Sequence, residues 1–128
     1  MNKISTQNHG YLDFVTVFIF LVAPSILGLT STAAVLAYLL TAVHLVMTLA
    51  TDFPFGVVKI IPFAIHGWVE RIVGPILVVI PFIIGFSDQP AARNFYIAIG
   101  FVIIIVGFLT DYTAKDSGPA QRTTKTHP

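Results

Sequence analysis

The chain has 128 residues, of which 55% are hydrophobic and 10% are charged, and its mean hydropathy is +0.86. A soluble domain carries about 25% charged residues, and a chain this short has too small an interior to hide so much apolar surface from water, so the composition predicts a membrane protein. The net charge of +1 argues against nucleic acid as a partner, and the absence of cysteine excludes disulfides, thiolate-held zinc and iron–sulfur cofactors.

The first long apolar stretch divides into two helices. Residues 14–51 contain no Asp, Glu, Lys or Arg, and this stretch is too long for a single membrane helix, which takes about 20 residues. Small and hydroxyl residues at 27–32 interrupt it, so we expect transmembrane helices at about residues 11–29 and 32–49. A secretory signal peptide is the competing interpretation of the first helix, but a single basic residue, Lys3, precedes it and no clear cleavage site follows it.

A broken apolar segment connects this pair of helices to a second pair. Pro54 and Pro62 would interrupt a helix, so we expect the segment to lie at the membrane interface with Lys59 directed towards lipid headgroups. Beyond it, the pattern predicts transmembrane helices at about residues 68–86 and 94–109, joined by a polar loop. The predicted division is a polar N-terminal tail (1–8), a first helical hairpin (9–53), the interfacial connector (54–65), a second hairpin (66–112) and a polar C-terminal tail, expected to be disordered (113–128).

The two hairpins are copies of one unit. His9-Gly10-Tyr11-Leu12-Asp13 is followed 57 positions later by His66-Gly67-Trp68-Val69-Glu70. Thr-Asp-aromatic segments end both units, at 51–53 and 110–112, with a shift of 59 because the turn of the second hairpin is longer. The predicted fold class is therefore an all-α integral membrane protein with four transmembrane helices, arranged as two tandem, parallel helical-hairpin repeats.

The distribution of Lys and Arg predicts the orientation of the chain. With four helices, six of the seven basic residues lie on one side of the membrane and only Arg93 lies on the other. We therefore expect a multi-pass membrane protein with both termini, and both copies of the His-Gly-aromatic motif, on the cytoplasmic side. The six are Lys3, Lys59, Arg71, Lys115, Arg122 and Lys125.

Ionisable residues gather at the predicted cytoplasmic ends of the helices, and we call this set the cytoplasmic rim. The His and the acid of each motif are four residues apart, which places both on one helix face. Such a cluster is a candidate for metal or proton binding. The structural interpretation is favoured, because acids in the first turn stabilise a helix, Arg71 is available for an ion pair, and Tyr11 and Trp68 suit an interfacial aromatic belt. No metal, cofactor or catalytic residue is therefore assigned. The rim comprises His9, Asp13, Asp52, His66, Glu70, Arg71 and Asp111.

A second candidate site lies within the predicted second helix. His44 is the only ionisable residue well inside a span, and Thr41 and Thr48 share its face; an intramembrane ionisable group is a functional candidate by default. A neutral His that bonds to a neighbouring helix is the structural alternative. A bis-histidine haem would need a second intramembrane His, which only a homodimer could supply. In the second unit, small and aliphatic residues take the positions of Thr41, His44 and Thr48, which predicts a close-packed face in the fourth helix. These counterparts are Gly100, Ile103 and Gly107.

Each unit also carries a proline followed four residues later by a glycine. Pro removes a helix hydrogen bond and Gly permits a left-handed turn. Pro24 with Gly28, and Pro81 with Gly85, therefore predict a kink and an end for the first helix of each unit.

This doubled arrangement of acid, apolar run, Pro, Gly, short turn and second helix resembles the SPW repeat family, small bacterial membrane proteins with two helices per repeat. The Pro and Gly of the family motif are present in both copies, as Ala23-Pro24-Ser25 with Gly28 and Ile80-Pro81-Phe82 with Gly85. The Ser and Trp of the motif are present in neither. The resemblance implies this fold and a location in the bacterial inner (cytoplasmic) membrane, without an activity.

Three functions compete. The short loops and the lack of a catalytic constellation favour a non-enzymatic structural or accessory subunit of a larger membrane complex. The alternative is a small oligomeric transporter, or an ion or proton pathway, that uses His44 and the cytoplasmic rim. A membrane enzyme or redox protein is the least expected. The expected partners are the lipid bilayer and either other membrane subunits or further copies of this chain.

Overall fold

The computed structural model describes residues 3–113, which form four helices and two very short strands. The C-terminal tail beyond residue 113, for which disorder was expected, lies outside the described residues, as do residues 1 and 2. The elements are α1 (Thr6–Leu27), α2 (Ser31–Ala50), β1 (Thr51–Asp52), β2 (Ile61–Pro62), α3 (Phe63–Ile83) and α4 (Pro90–Leu109).

All four helices are long and apolar enough to cross a membrane. Each has 20 to 22 residues, and a rise of 1.5 Å per residue makes that about 30 Å, the thickness of the hydrocarbon core. Large apolar side chains such as Phe18, Val35 and Phe108 point away from the bundle, where lipid is their natural solvent. The predicted four-helix membrane fold is confirmed.

All four helices begin earlier than the predicted spans, α2 by one residue and the other three by four or five. α1 begins at Thr6, because the side chain of Ser5 accepts a hydrogen bond from the backbone N–H of Asn8 and caps the helix. α3 begins at Phe63, and α4 begins with Pro90, whose fixed φ angle suits the first position of a helix. Hydropathy marks the apolar length of a helix, whereas local capping chemistry decides where the helix starts.

The two hairpins pair with each other at one end of the bundle. Ile4 forms a parallel bridge with Thr110, and Thr51 pairs in parallel with Ile61. Ile4 and Ile61 are 57 positions apart and Thr51 and Thr110 are 59 apart, so the segment before each hairpin pairs with the segment after the other. This exchange gives the bundle a pseudo-two-fold axis and puts both hairpins in the same direction. We call this end of the bundle the strand end.

At the opposite end of the bundle, the first helix of each hairpin ends at its proline and glycine. Gly28 has a φ of 64° and caps α1, and the N–H of Leu29 donates to the carbonyl of Pro24 at 3.0 Å. Gly85 has a φ of 84° in the second hairpin, and the N–H of Phe86 donates to the carbonyl of Pro81 at 3.0 Å. A left-handed backbone favours glycine at both positions.

The second hairpin is packed more closely than the first. A Cβ atom added to Gly100 would lie 2.8 Å from the carbonyl oxygen of Gly74 and 2.9 Å from the backbone nitrogen of Val78. α3 and α4 therefore touch backbone to backbone, as the small residues of the fourth helix predicted. The counterpart of Gly100 in α2 is Thr41, whose hydroxyl donates to the carbonyl of Ala37 in its own helix.

Candidate functional site

Two histidines and two carboxylates meet inside the bundle near the strand end. His9 and Asp13 come from α1, and His66 and Glu70 come from α3, so that each motif supplies one residue of each kind. The residues are 0%, 2%, 0% and 4% exposed, respectively. One nitrogen or oxygen atom from each of the four lies within 4.8 Å of the other three. We call these four residues the His/carboxylate cluster.

The imidazoles and the carboxylates alternate around the pseudo-two-fold axis. Nε2 of His9 lies 3.2 Å from Asp13 and 3.3 Å from Glu70. Nε2 of His66 lies 3.5 Å from Asp13 and 3.4 Å from Glu70. Each carboxylate presents a different oxygen to each imidazole, so each histidine contacts the acid of its own helix and that of the other hairpin.

Two threonines fix the orientation of the imidazoles. The hydroxyl of Thr110 donates to the carbonyl of Val106 at 2.8 Å and lies 2.9 Å from Nδ1 of His9. Because its proton is engaged with that carbonyl, the hydroxyl oxygen accepts a hydrogen bond from Nδ1–H. Thr51 does the same for Nδ1 of His66, at 2.8 Å. In a neutral imidazole this arrangement leaves Nε2 with a free lone pair directed into the cluster.

The Nε2 atoms have no hydrogen-bond partner among the described residues. Nε2 of His9, His44 and His66 is buried and without one. A charge-assisted N–H···O bond is about 2.7–2.9 Å long, whereas the imidazole-to-carboxylate distances here are 3.2–3.5 Å. The nitrogen atoms converge on the space between the carboxylates and not on any one oxygen atom.

His44 connects the predicted intramembrane site in α2 with the His/carboxylate cluster. Its Nε2 atom lies 3.5 Å from Oδ1 of Asp13, and the hydroxyl of Thr48 donates to Oδ2 of Asp13 at 3.5 Å. The predicted intramembrane site therefore borders the cluster through two of its three members. The third, Thr41, bonds to its own helix instead.

An aromatic cap covers the cluster at the strand end, formed by Phe53, Phe55, Phe63 and Tyr112. The ring of Phe63 contacts that of His9 at a centroid distance of 5.3 Å, and the hydroxyl of Tyr112 donates to Glu70 at 2.6 Å. Burial, followed by the nearby charge of Glu70, raises the pKa of Tyr112 well above its ordinary value. The hydroxyl therefore stays protonated and remains a donor to the carboxylate.

The glycine of each motif makes room for this cap. A Cβ atom added to Gly67 would lie 2.6 to 2.7 Å from three atoms of the Tyr112 ring. A Cβ atom on Gly10 would collide with the ring of Phe55. A side chain at Gly67 would push the Tyr112 ring away from His9, which it contacts at a centroid distance of 5.4 Å. A side chain at Gly10 would displace the Phe55 ring from its contact with Phe53.

The remaining rim residues lie outside the cluster. Asp52 is exposed in β1. Asp111 accepts hydrogen bonds from the backbone and the hydroxyl of Thr113. The guanidinium of Arg71 lies over the rings of Trp68 and Tyr112, at 5.4 and 5.1 Å. The structure thus brings together four of the seven rim residues.

The explanation of the motif acids as first-turn acids was wrong. Neither α1 nor α3 has an acidic residue in its first turn. Because these helices begin at Thr6 and Phe63, Asp13 and Glu70 are the eighth residue of their helices, and both are buried. At that depth a carboxylate does not cap a helix and needs partners of its own.

Sequence reasoning missed the roles of Thr51, Thr110 and Tyr112. A signal for them was present, since the Thr-Asp-aromatic segment recurs in both units. It marked the ends of the helices but gave no reason to connect the end of one hairpin with the histidine of the other.

The family model for the SPW repeat domain matches residues 7–110 of the chain, which include the whole cluster. No curated protein and no solved structure matches the chain.

Proposed function

The chain belongs to the SPW repeat domain family, and from its His/carboxylate cluster we propose that this membrane protein binds a divalent transition-metal ion. The observation that carries the proposal is the pair of buried Nε2 atoms without hydrogen-bond partners, each facing two carboxylates. The proposal departs from the expectation, drawn from the sequence, that these residues hold no metal.

The donor set and its dimensions suit a four-coordinate metal. Imidazole nitrogen and carboxylate oxygen are ordinary ligands of zinc, with bonds of about 2.0–2.2 Å. A tetrahedron with bonds of about 2.0–2.1 Å has edges of about 3.3–3.4 Å. Each imidazole nitrogen of the cluster lies 3.2–3.5 Å from one oxygen of each carboxylate, and one donor atom from each of the four side chains lies within 4.8 Å of the other three. All four side chains are therefore close enough to offer a ligand to one ion.

The charge of a dication also balances the site. Two ionised carboxylates carry two negative charges, and burying them without compensation is costly. A dication neutralises both while both imidazoles remain neutral, the form in which they bind metals. The threonine hydroxyls behind His9 and His66 hold the ligand nitrogen inward, an arrangement that metal-binding histidines commonly have.

Proton binding alone is the competing explanation of the cluster. Imidazolium groups facing these carboxylates would form hydrogen bonds of about 2.7–2.9 Å. The longer distances and the missing hydrogen bonds favour a metal over this ion-pair network.

A metal site fits the transporter or ion-pathway hypothesis better than the accessory-subunit hypothesis, because a subunit that only packs against a partner has no need of it. The accessory-subunit role stays a prediction, as do the protein partners and the homo-oligomer.

We also propose a bacterial inner-membrane location with the strand end cytoplasmic, on the positive-inside rule. Lys59 and Arg71 lie towards this end and Arg93 towards the other. Cysteines introduced at Ser31 and Asp52 test the orientation: a membrane-impermeant reagent outside intact cells should label the first only, and the reverse pattern would invert it.

Metal content of the purified protein tests the binding proposal. Protein in mild detergent is stripped with a chelator, reloaded with Zn²⁺ or Co²⁺, and freed of excess ion. We expect one ion per chain and, for cobalt, the intense visible bands of four-coordinate geometry.

Two variants give this experiment its specificity. His66→Gln removes one ligand with little change of volume and should abolish stoichiometric binding. Asp52→Asn removes an exposed rim acid and should bind like the parent. Both must keep the parent's helix content and elution volume. Folded parent protein that retains no metal, or equal loss in both variants, would count against the cluster as the site.

A further inference from the structure

Access to the cluster along the bundle axis is closed at the strand end. Phe53, Phe63 and Tyr112 of the aromatic cap are buried and pack against one another. On the other side of the cluster, the bundle is filled by apolar side chains such as Phe20 and Leu77. An ion that reaches Asp13 and Glu70 therefore has to come from the side, between helices.

Two side pockets reach the cluster, and they are counterparts under the internal repeat. The α2/α3 pocket, of about 50 Å³, is lined by residues that include His44, Met47 and Glu70. The α1/α4 pocket, of about 70 Å³, is lined by the counterparts of these three: Ile103, Val106 and Asp13.

The two pockets have the same framework but different chemistry. In the α2/α3 pocket an imidazole nitrogen and a thioether sulfur can bind a transition metal. In the α1/α4 pocket both are replaced by aliphatic side chains. The hydroxyl of Thr16, which also lines that pocket, donates to the carbonyl of Leu12 in its own helix. A cation that sheds water needs replacement ligands, because an unpaired charge in an apolar space is costly.

His44 is placed to pass an ion to the cluster. Its Nε2 atom is buried, has no hydrogen-bond partner among the described residues, and lies 3.5 Å from Asp13. Its ring centroid is 6.2 Å from that of His66. His44 lies outside the four-residue group whose donor atoms all converge, so it borders the site without completing it.

The α2/α3 pocket also continues outwards. Val43 and Met47 line it and also line a neighbouring apolar pocket that extends to Ile61. Ile61 lies in β2 at the strand end, beside the surface of the bundle. Met47 therefore lies between the outer pocket and His44.

We propose that the metal ion is loaded and released through the α2/α3 pocket, with His44 as the transfer ligand and Met47 before it on the path. This inference rests on the proposed metal site and adds a direction of access to it. The internal repeat supplies two equivalent pockets. Of these two, the α2/α3 pocket has metal-binding side chains at the positions where the α1/α4 pocket has aliphatic ones, and this difference favours one route.

The rate of metal release tests the route. Purified protein loaded with Co²⁺ is mixed with an excess of a chelator, and the loss of the visible bands is followed in time. His44→Ile installs the residue that the α1/α4 pocket has at this position. We expect one ion per chain and an unchanged spectrum, but release slowed about tenfold or more, since a ligand is lost from the rate-limiting step.

Two further variants control for damage to the bundle. Val106→Leu changes the counterpart of Met47 in the α1/α4 pocket and should leave release within about twofold of the parent, since no ligand changes. Met47→Val should slow release less than His44→Ile, and it keeps the inference testable should the latter fail to fold.

The outcomes separate the two proposals. A parent protein without metal refutes the metal site itself. A His44→Ile protein that binds normally and releases at the parent's rate refutes the route and leaves the site intact. Loss of binding, or a changed cobalt spectrum, in His44→Ile would make His44 a resident ligand and overturn its role in transfer.

Discussion

Thr110 offers the sharpest test of how the imidazoles are held. Thr110→Val keeps the shape of the side chain and removes the hydroxyl. Two hydrogen bonds are lost: the bond to the carbonyl of Val106 and the bond from Nδ1–H of His9. The first loss is shared by many helical threonines, whereas the second leaves a buried donor without an acceptor.

Thr41→Val is a matched control for this substitution. The hydroxyl of Thr41 donates at 2.9 Å to the carbonyl four residues earlier, as that of Thr110 does, and no imidazole within residues 3–113 is recorded in contact with it. The difference between the two variants therefore isolates the contact with His9. An unsatisfied buried donor costs about 1–3 kcal/mol, so Thr110→Val should be less stable than Thr41→Val by that amount.

Metal affinity should separate the two variants more clearly than stability does. Loss of the group that orients a metal-binding histidine weakens binding by about 10–100-fold. Thermal unfolding in detergent measures the first quantity, and competition with a chelator of known affinity measures the second. Equal stability and equal affinity in Thr110→Val and Thr41→Val would refute the idea that threonine positions the imidazole.

Two further substitutions test the aromatic cap. Gly67→Ala places a methyl group 2.6 to 2.7 Å from the Tyr112 ring, so the ring must move. Thermal unfolding should show a loss of stability of about 1–3 kcal/mol from overpacking. An unchanged melting temperature would mean that the ring does not rest on this glycine. Tyr112→Phe keeps the ring but removes the 2.6 Å hydrogen bond to Glu70, and should lower stability by about 1.5–3 kcal/mol. Because burial and Glu70 raise the pKa of Tyr112, its hydroxyl should stay protonated well into the alkaline range. The difference in stability between the parent and Tyr112→Phe should therefore be the same at neutral and mildly alkaline pH. A difference that vanishes at mildly alkaline pH would show that the tyrosine ionises.

The membrane fold could be predicted because it depends on local pattern. A charge-free stretch at residues 14–51 is long enough for two spans, and solvent preference alone decides its placement. The recurrence of the His-Gly-aromatic motif with a constant shift revealed the doubled unit, and the Pro and Gly residues carried the resemblance to the SPW repeat family, which the family match confirms.

The cluster could not be predicted because it depends on contacts between distant segments. The bridge between Ile4 and Thr110 brings the end of the last helix to the histidine of the first, and no local pattern encodes that pairing. The cap of Ser5 starts α1 early enough to bury Asp13, which apolar periodicity alone does not reveal. His44 and Asp13 are 31 positions apart, and only the packing of α1 against α2 joins them.

X-ray absorption at the zinc edge tests the central claim most directly. The protein is loaded with one equivalent of Zn²⁺ in detergent and compared with His66→Gln under the same conditions. The expected spectrum shows four nitrogen or oxygen ligands at about 2.0–2.1 Å with the scattering signature of two imidazoles, reduced in the variant. A six-coordinate ion surrounded by water, or an identical spectrum in both proteins, would contradict a metal site built from the two histidines and two carboxylates.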